Sequence, residues 1–289
     1  MNKGPVHILY CGNRFITHGI YLSALSVIKN TPNTDFVFHI MTMTAKDYGP
    51  KGEGIHPSDM PYFEEMITHF NPNNKAILYD LTEQYENGIG KTKNHINRFT
   101  PFAMLRLFAE DIIDADTVIY LDTDTMCNRD INEFFNYDIS NVELGAVLDY
   151  LGQWWLGGTY FNSGVLFLNM KKIRETHLFN RCVELLLHKK LYFPDQDALN
   201  QLVEVKFELP TKFNDQRHIK EDTVISHYPR HVWRYWDPVR PWEIERMHKR
   251  YHIHHYDELY IYYLQHYPFE LMGKEKPKIS IDDLKKPCH

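Results

Sequence analysis

Residues 117–127 read TVIYLDTDTMC. Four apolar or aromatic residues, Val118 to Leu121, run straight into Asp122, Thr123 and Asp124. The pattern predicts a buried strand whose carboxyl end carries two carboxylates one residue apart. Open α/β sheets bind ligands outside the carboxyl ends of their strands. Two carboxylates there suit a hard divalent cation held together with substrate phosphates. A strand closed by an Asx-type turn, with the acids as caps, satisfies the same letters. A short motif decides little without its surroundings.

Upstream, Val6 to Cys11 (VHILYC) reads as a first strand ended by Gly12-Asn13. Ile16, Ile20, Ala24, Val27 and Ile28 follow at helical spacing, and Phe36 to Met41 forms a second strand. This β-α-β opening is a mononucleotide-binding layout. The loop CGNRF lacks both G-x-G-x-x-G and G-K-[ST], so it is not a phosphate loop. Residues 44–60 read as a Gly/Pro-rich loop, Pro61 as the start of a helix, and Ala76 to Leu81 as a third strand. Residues 83–98 hold no period and read as a mobile loop or an acceptor-facing segment. Thr100-Pro101 caps a predicted helix, FAMLRLFAEDII, leading into the opening strand. Downstream come a short helix from Asp130, strands at Leu144 to Leu148 and Phe161 to Asn169, and a helix from Lys172 to Lys189. A helix opened by Pro194 and a strand from Val224 ending at His227 follow.

The chain has 289 residues, enough for one large α/β domain or two small ones. It is 43% hydrophobic and 14% aromatic, the composition of a globular protein. Net charge is -6 and pI about 6.3, which argues against nucleic acid as a partner. An anionic substrate therefore needs locally placed cations or a metal. Cys11, Cys127, Cys182 and Cys288 are scattered, with no C-x-x-C pair, and favour a reducing, cytoplasmic setting over a disulfide or zinc scaffold. The opening MNKGPVHILYC has no signal-peptide apolar region, and no run approaches the ~20 apolar residues of a membrane span.

LDTDT also fits D-x-D-x-[TV], the signature of haloacid-dehalogenase-type phosphatases, with Asp122 as nucleophile. Four predicted elements precede the motif, and a downstream acidic pair after an apolar strand is missing; both tell against it. Three further blocks point elsewhere. VIYLDTDTMCNRDINEF, YFNSGVLFLNMKKIRE and PDQDALN, in this order and with the opening HILYCGNRF, resemble glycosyltransferase family 8. The resemblance covers roughly residues 6–245. It implies a GT-A (Rossmann-like) α/β fold: a mixed, mainly parallel central sheet flanked by helices, with a small aromatic C-terminal extension. It implies a retaining enzyme that moves a hexose from UDP-glucose or UDP-galactose to a glycan, glycolipid or glycoprotein hydroxyl. A non-catalytic UDP-sugar-binding protein of the same fold is the other reading.

Residue by residue, the resemblance implies that Asp122, Asp124 and His227 ligate Mn2+, or Mg2+ in its place, against the donor diphosphate. Imidazole is a usual ligand for such metals. Tyr10, Gly12 and Asn13 match the uridine and ribose shelf, and Thr123 lies in the donor grip. Arg106 matches an arginine at the donor phosphate or sugar, although helical periodicity alone makes it a solvent-facing charge. Asp149 and Asn162 match positions bonding sugar hydroxyls, and Asp195 and Gln196 the pair beside the anomeric carbon. The family's closing lysine is replaced by Arg240, after a longer aromatic insertion that could displace it.

Gln153-Trp154-Trp155, before Gly157-Gly158, reads as a flexible acceptor-side loop whose rings, with those of 233–242, can stack on sugars or pack in a core. The expected division is a catalytic domain over 1–245 and a C-terminal helical extension and tail over 246–289. The extension is rich in Tyr and His, with His252 to His255 on its surface, and is a candidate for peripheral contact with the inner face of a membrane. Its last stretch, from Lys274, reads as a loosely attached tail.

Overall fold

A computed structural model describes residues 4–96, 101–229, 239–251 and 256–284. Thr100, Trp233, Trp236, His252 to His255 and Cys288, all invoked above, lie outside the described residues. The strands in chain order are β1 (Val6–Cys11), β2 (Phe36–Thr42), β3 (Lys75–Asp80), β4 (Thr117–Leu121), β5 (Thr125–Cys127), β6 (Leu144–Leu148), β7 (Phe161–Asn169), β8 (Lys206–Glu208) and β9 (Ile225–His227). Seven form one sheet in the order β3-β2-β1-β4-β7-β6-β8, and β5 pairs antiparallel with β9 in a separate ribbon. Every strand of the large sheet runs the same way except β7, which is antiparallel to both β4 and β6.

That reversal positions the site. Leu121 at the end of β4 pairs with Val165, and Leu148 at the end of β6 pairs with Phe161. The amino end of β7 therefore lies between the carboxyl ends of β4 and β6. Asp122, Asp149 and residues 162–164 meet at one edge. All nine β7 residues are buried, as expected for a central strand covered on both faces.

The helix Thr17–Asn30 has ten consecutive buried residues, Gly19 to Ile28, more than one apolar stripe would bury. A second layer explains this. Tyr263 and Tyr267, from and just after the helix Asp257–His266, pack their rings 5.9 and 5.2 Å from that of Tyr21. Tyr256, Tyr260, Tyr263 and Tyr267 are all buried in the same core. The C-terminal aromatics thus pack inward. Within the stretch from Lys274 expected as a loose tail, the described part ends in the short helix Ile281–Leu284, with Leu284 buried in the core. No helix among the described residues is long and apolar enough to cross a membrane.

Other expectations change locally. Residues 44–60 contain 3-10 turns at Lys46–Gly52 and Pro57–Asp59. The expected mobile loop at 83–98 instead begins with the helix Thr82–Asn87 and a turn at Ile89–Lys91, anchored by buried Tyr85 and Ile89. The predicted α-helix FAMLRLFAEDII winds as 3-10 over Pro101–Phe108 and as α only over Ala109–Ile112. Its residues are buried around most of the axis, so no amphipathic period selects an α-helix. The single helix expected over Lys172 to Lys189 is two, Met170–Thr176 and Leu178–His188, broken where His177 turns left-handed at φ 53°. Glu110 caps the second helix, accepting the amides of Phe179 (2.9 Å) and Asn180 (3.1 Å).

Candidate active site

The edge where β4, β6 and β7 meet gathers most of the singled-out polar residues. Asp122 leaves β4 and its amide bonds the Gly164 carbonyl at 2.7 Å. The chain then turns, and Thr125 pairs with His227 across the β5–β9 ribbon. This brings His227 Nε2 to 3.3 Å from Asp124 Oδ1 and 3.7 Å from Asp122 Oδ2. One ligand atom from each of the three residues lies within 4.8 Å of the others. Thr123 sits at the turn, with its carbonyl against Gly19: a Cβ there would come within 2.6 Å of it. Burial pushes the Asp122 carboxyl above its usual range, partly offset by Arg106 and His227. Burial acts on Asp124 as well, but His227 and Arg240 outweigh it and hold that carboxyl low.

The donor set fits a divalent cation. His227 Nε2 is buried and makes no hydrogen bond. Its state follows from a chain of amides. A carboxylate only accepts, so Asn162 Nδ2 donates to Asp149 Oδ2 (3.0 Å). Asn162 Oδ1 then accepts from the Gly164 amide (2.9 Å) and from Asn214 Nδ2 (2.9 Å). Asn214 Oδ1 is left to accept from His227 Nδ1 at 2.9 Å. One proton is thereby assigned to Nδ1, and Nε2, turned toward the two carboxylates, is the ring atom left for a metal, as outer hydrogen-bond partners arrange metal-ligating histidines. Gly164 provides the room: a Cβ on it would meet His227 Cε1 at 2.2 Å and Asp122 Oδ2 at 2.8 Å. Asn214, fully buried, was not foreseen; it lies in irregular chain after a three-residue 3-10 turn, where periodicity carries no signal.

Arg106 lies beneath this cluster, 1% exposed, not on a solvent-facing surface. Its guanidinium pairs with Asp122 Oδ1 and Asp195 Oδ2, each at 3.2 Å, donates to the Ser163 and Ala103 carbonyls, and stacks 3.8 Å from the Tyr120 ring centre. Burial alone would pull its pKa down; Tyr120, Asp195 and Asp122 more than offset this and hold it charged. Tyr120 adds a hydroxyl bond to Asp122. Asp195 and Gln196 open the helix Pro194–Leu202. Gln196 Oε1 accepts from the Ser163 amide (2.9 Å), and its Nε2 lies 3.4 Å from Asp149 Oδ2. Ser163 Oγ reaches Asp195 Oδ2 at 3.3 Å. Asp122, Arg106, Asp195, Ser163, Gln196, Asp149, Asn162, Asn214 and His227 thus form one connected network.

Arg240 lies beside Asp124. Its Nε is 3.8 Å from Asp124 Oδ2, and its Nη1 donates to the Tyr228 carbonyl at 3.1 Å. Trp242 packs on His18 with ring centres 4.6 Å apart. The first loop differs. Tyr10 is fully buried with its hydroxyl on Ser23 (2.9 Å), so its ring belongs to the core. Gly12 is buried against Ile16. Asn13 Oδ1 caps the following turn at the Ile16 amide (3.2 Å). The expected flexible loop at Gln153-Trp154-Trp155 is the short helix Gly152–Trp155, started by Asp149 Oδ1 accepting the amides of Leu151 (3.1 Å) and Gly152 (2.6 Å).

The chain is similar to known proteins over most of its length. The model for "Glycosyl transferase family 8" matches residues 7–246. A probable glycosyl transferase Gly of Streptococcus gordonii is 36% identical over 113 residues, which are 38% of this chain and 17% of that one. A lipopolysaccharide 1,2-glucosyltransferase of Escherichia coli is 28% identical over 258 residues, 74% of this chain and 70% of its own. An active-site mutant of the glycosyltransferase LgtC shares the fold with a TM-score of 0.63 at 20% identity, over 83% of this chain and 90% of that chain.

Proposed function

The chain belongs to glycosyl transferase family 8, and from that premise we propose a retaining hexosyl transfer from UDP-glucose or UDP-galactose to a hydroxyl of a glycan, glycolipid or glycoprotein. The observation that carries the donor half is the convergence of Asp122, Asp124 and the unbonded Nε2 of His227. These three would hold Mn2+, or Mg2+ in its place. When bound, the cation supplies Lewis-acid stabilisation for a departing diphosphate.

The chain's own residues do the rest. Arg240, beside Asp124, adds fixed positive charge where the leaving group develops negative charge. Arg106 holds Asp122 and Asp195 in place from below. Asp195 and Gln196, tied to Ser163, present fixed side chains to the donor sugar. Asp149 and Asn162 form the side of the site that leads to the acceptor. Tyr10, Gly12 and Asn13 support the nucleotide end through backbone shape. The buried, scattered thiols favour a reducing, cytoplasmic setting.

The test is a panel of nucleotide sugars, with and without chelator. Mn2+-dependent release of UDP from UDP-glucose or UDP-galactose is expected, abolished by EDTA. Asp124→Asn should retain the wild-type circular dichroism and lose UDP affinity in Mn2+ by roughly 100-fold, the scale on which losing a ligand matters. Untouched nucleotide sugars with cleavage of p-nitrophenyl phosphate would return Asp122 to the phosphatase reading. UDP bound but never turned over, with any acceptor, would favour a binding protein.

A further inference from the structure

The helix Gly152–Trp155 carries two indoles that the described chain leaves open. Trp154 is 79% exposed, Trp155 74%, and Leu156 behind them 55%. Keeping that much apolar surface in water is unfavourable. The helix is not a loose appendage. Asp149 Oδ1 starts it, the Asp149 carbonyl accepts from the Gln153 amide at 3.1 Å, and Oδ2 of the same carboxylate accepts from Asn162. Gly152 permits the arrangement, since a Cβ there would press on Tyr160 at 2.5 Å and on Asp149 Oδ1 at 3.0 Å. One carboxylate thus joins the aromatic helix to the network that ends at His227.

A cavity of about 150 Å³ lies alongside. Tyr150, Gln153, Glu208, Gln216 and Arg217 line it, as does Asn214, the amide that holds His227. Arg217 stacks on Tyr150 at 4.2 Å from the ring centre. Trp154 directly follows Gln153, which lines the cavity. The network, the cavity (its floor closed by Val147, Leu148 and Leu209) and the two exposed indoles thus meet on one segment, 149–155.

The chemistry of this strip selects its occupant. Amide, carboxylate and guanidinium groups around a small cavity suit a polyol, and flat aromatic faces suit the C–H face of a sugar ring. An anionic bilayer is the poorer match: 149–160, DYLGQWWLGGTY, contains no Lys or Arg, and the two cations beside it are engaged, Arg217 on the Tyr150 ring and Lys206 on the Thr159 carbonyl, whereas surface-seeking segments combine aromatics with their own basic residues.

We propose that Trp154 and Trp155 are a stacking platform for an oligosaccharide acceptor, one sugar unit entering the cavity and the next resting on the indoles. The proposal rests on the glycosyl-transfer reading above. It makes chain length the determinant of acceptor choice: two or more sugar units bind better than one.

The experiment uses the full chain with Mn2+ and UDP. Galactose, lactose and maltotriose are titrated while tryptophan emission and acrylamide quenching are followed. The disaccharide and trisaccharide should shield the indoles and galactose should not, and the shielding should vanish in Trp154→Ala/Trp155→Ala. With the saccharide that is glycosylated fastest, KM should rise about tenfold in that variant, with kcat changing far less, and Trp154→Phe/Trp155→Phe should restore it. An equal KM in wild type and the alanine variant, or no shielding by any of the three saccharides, overturns the platform. So does tryptophan-dependent flotation with phosphatidylglycerol vesicles without saccharide shielding, or a tryptophan-dependent dimer in sedimentation. Calorimetry with UDP keeps the two readings apart. Loss of Mn2+-dependent UDP binding in the wild type counts against the donor reading, whereas intact UDP binding with an unaltered saccharide response in the variant counts against the platform alone.

Discussion

The two halves of the sheet reach the same edge and end differently there. After β1 the side chains serve the fold: Tyr10 bonds Ser23, Asn13 caps a turn, and Arg14 bonds Asp59 (3.0 Å), Glu53 (3.4 Å) and the Leu271 carbonyl (3.0 Å). Around β4, β6 and β7 the side chains bond one another and leave His227 Nε2 and two carboxylates facing a common space. The parallel half is a support. The half containing the reversed strand carries the candidate site, because reversal sets the polar start of β7 between the acidic ends of its neighbours.

The hardest way to break this contrast is Arg106→Met. It removes the buried cation between Asp122 and Asp195, leaving the first to Tyr120 and His227 and the second to Ser163 with no guanidinium to balance their charge. A loss of about 3–5 kcal/mol is expected, read as a lower urea midpoint at unchanged slope. A change under about 1 kcal/mol would mean that the network is not mechanically central. Next comes Asn214→Leu, which deletes the acceptor that fixes the proton on His227 Nδ1. Mn2+ affinity, measured by electron paramagnetic resonance without donor or acceptor, should fall about 10–100-fold. Unchanged affinity would detach the amide chain from the metal ligands. The smallest effect belongs to the supporting half. Arg14→Met should cost about 1 kcal/mol or less in stability and leave UDP affinity within about threefold. A loss as large as that of Asp124→Asn would move the first loop into the chemical half.

The contrast also marks what could be read from letters alone. The elements that carry Asp122, Asp124, Asn162, Asp195, Gln196 and His227 announce themselves by apolar runs and a start signal; the roles expected of these residues came from the resemblance to glycosyltransferase family 8. Arg106 was misjudged by periodicity: six of the eight residues in its 3-10 segment are buried, so a charge there has no outer face to occupy. β5 and β8 are three residues each, too short for alternation to show. Asn214 and the stacking of the C-terminal tyrosines over Thr17–Asn30 depend on contacts between distant segments. The left-handed break at His177 depends on Glu110, more than sixty residues away, capping the next helix.

The Asp149 amide donates to the Tyr160 carbonyl at 2.9 Å, and Leu148 pairs with Phe161 directly beneath. The excursion between them is closed at its neck, and both ends are clamped by a central strand. Its length is then thermodynamically cheap to alter: doubling such a loop costs only about 0.6 kcal/mol in closure entropy. Residues 150–159 can therefore change in length at little cost to the neck, and what such a change removes is the pair of amide bonds that Leu151 and Gly152 give Asp149.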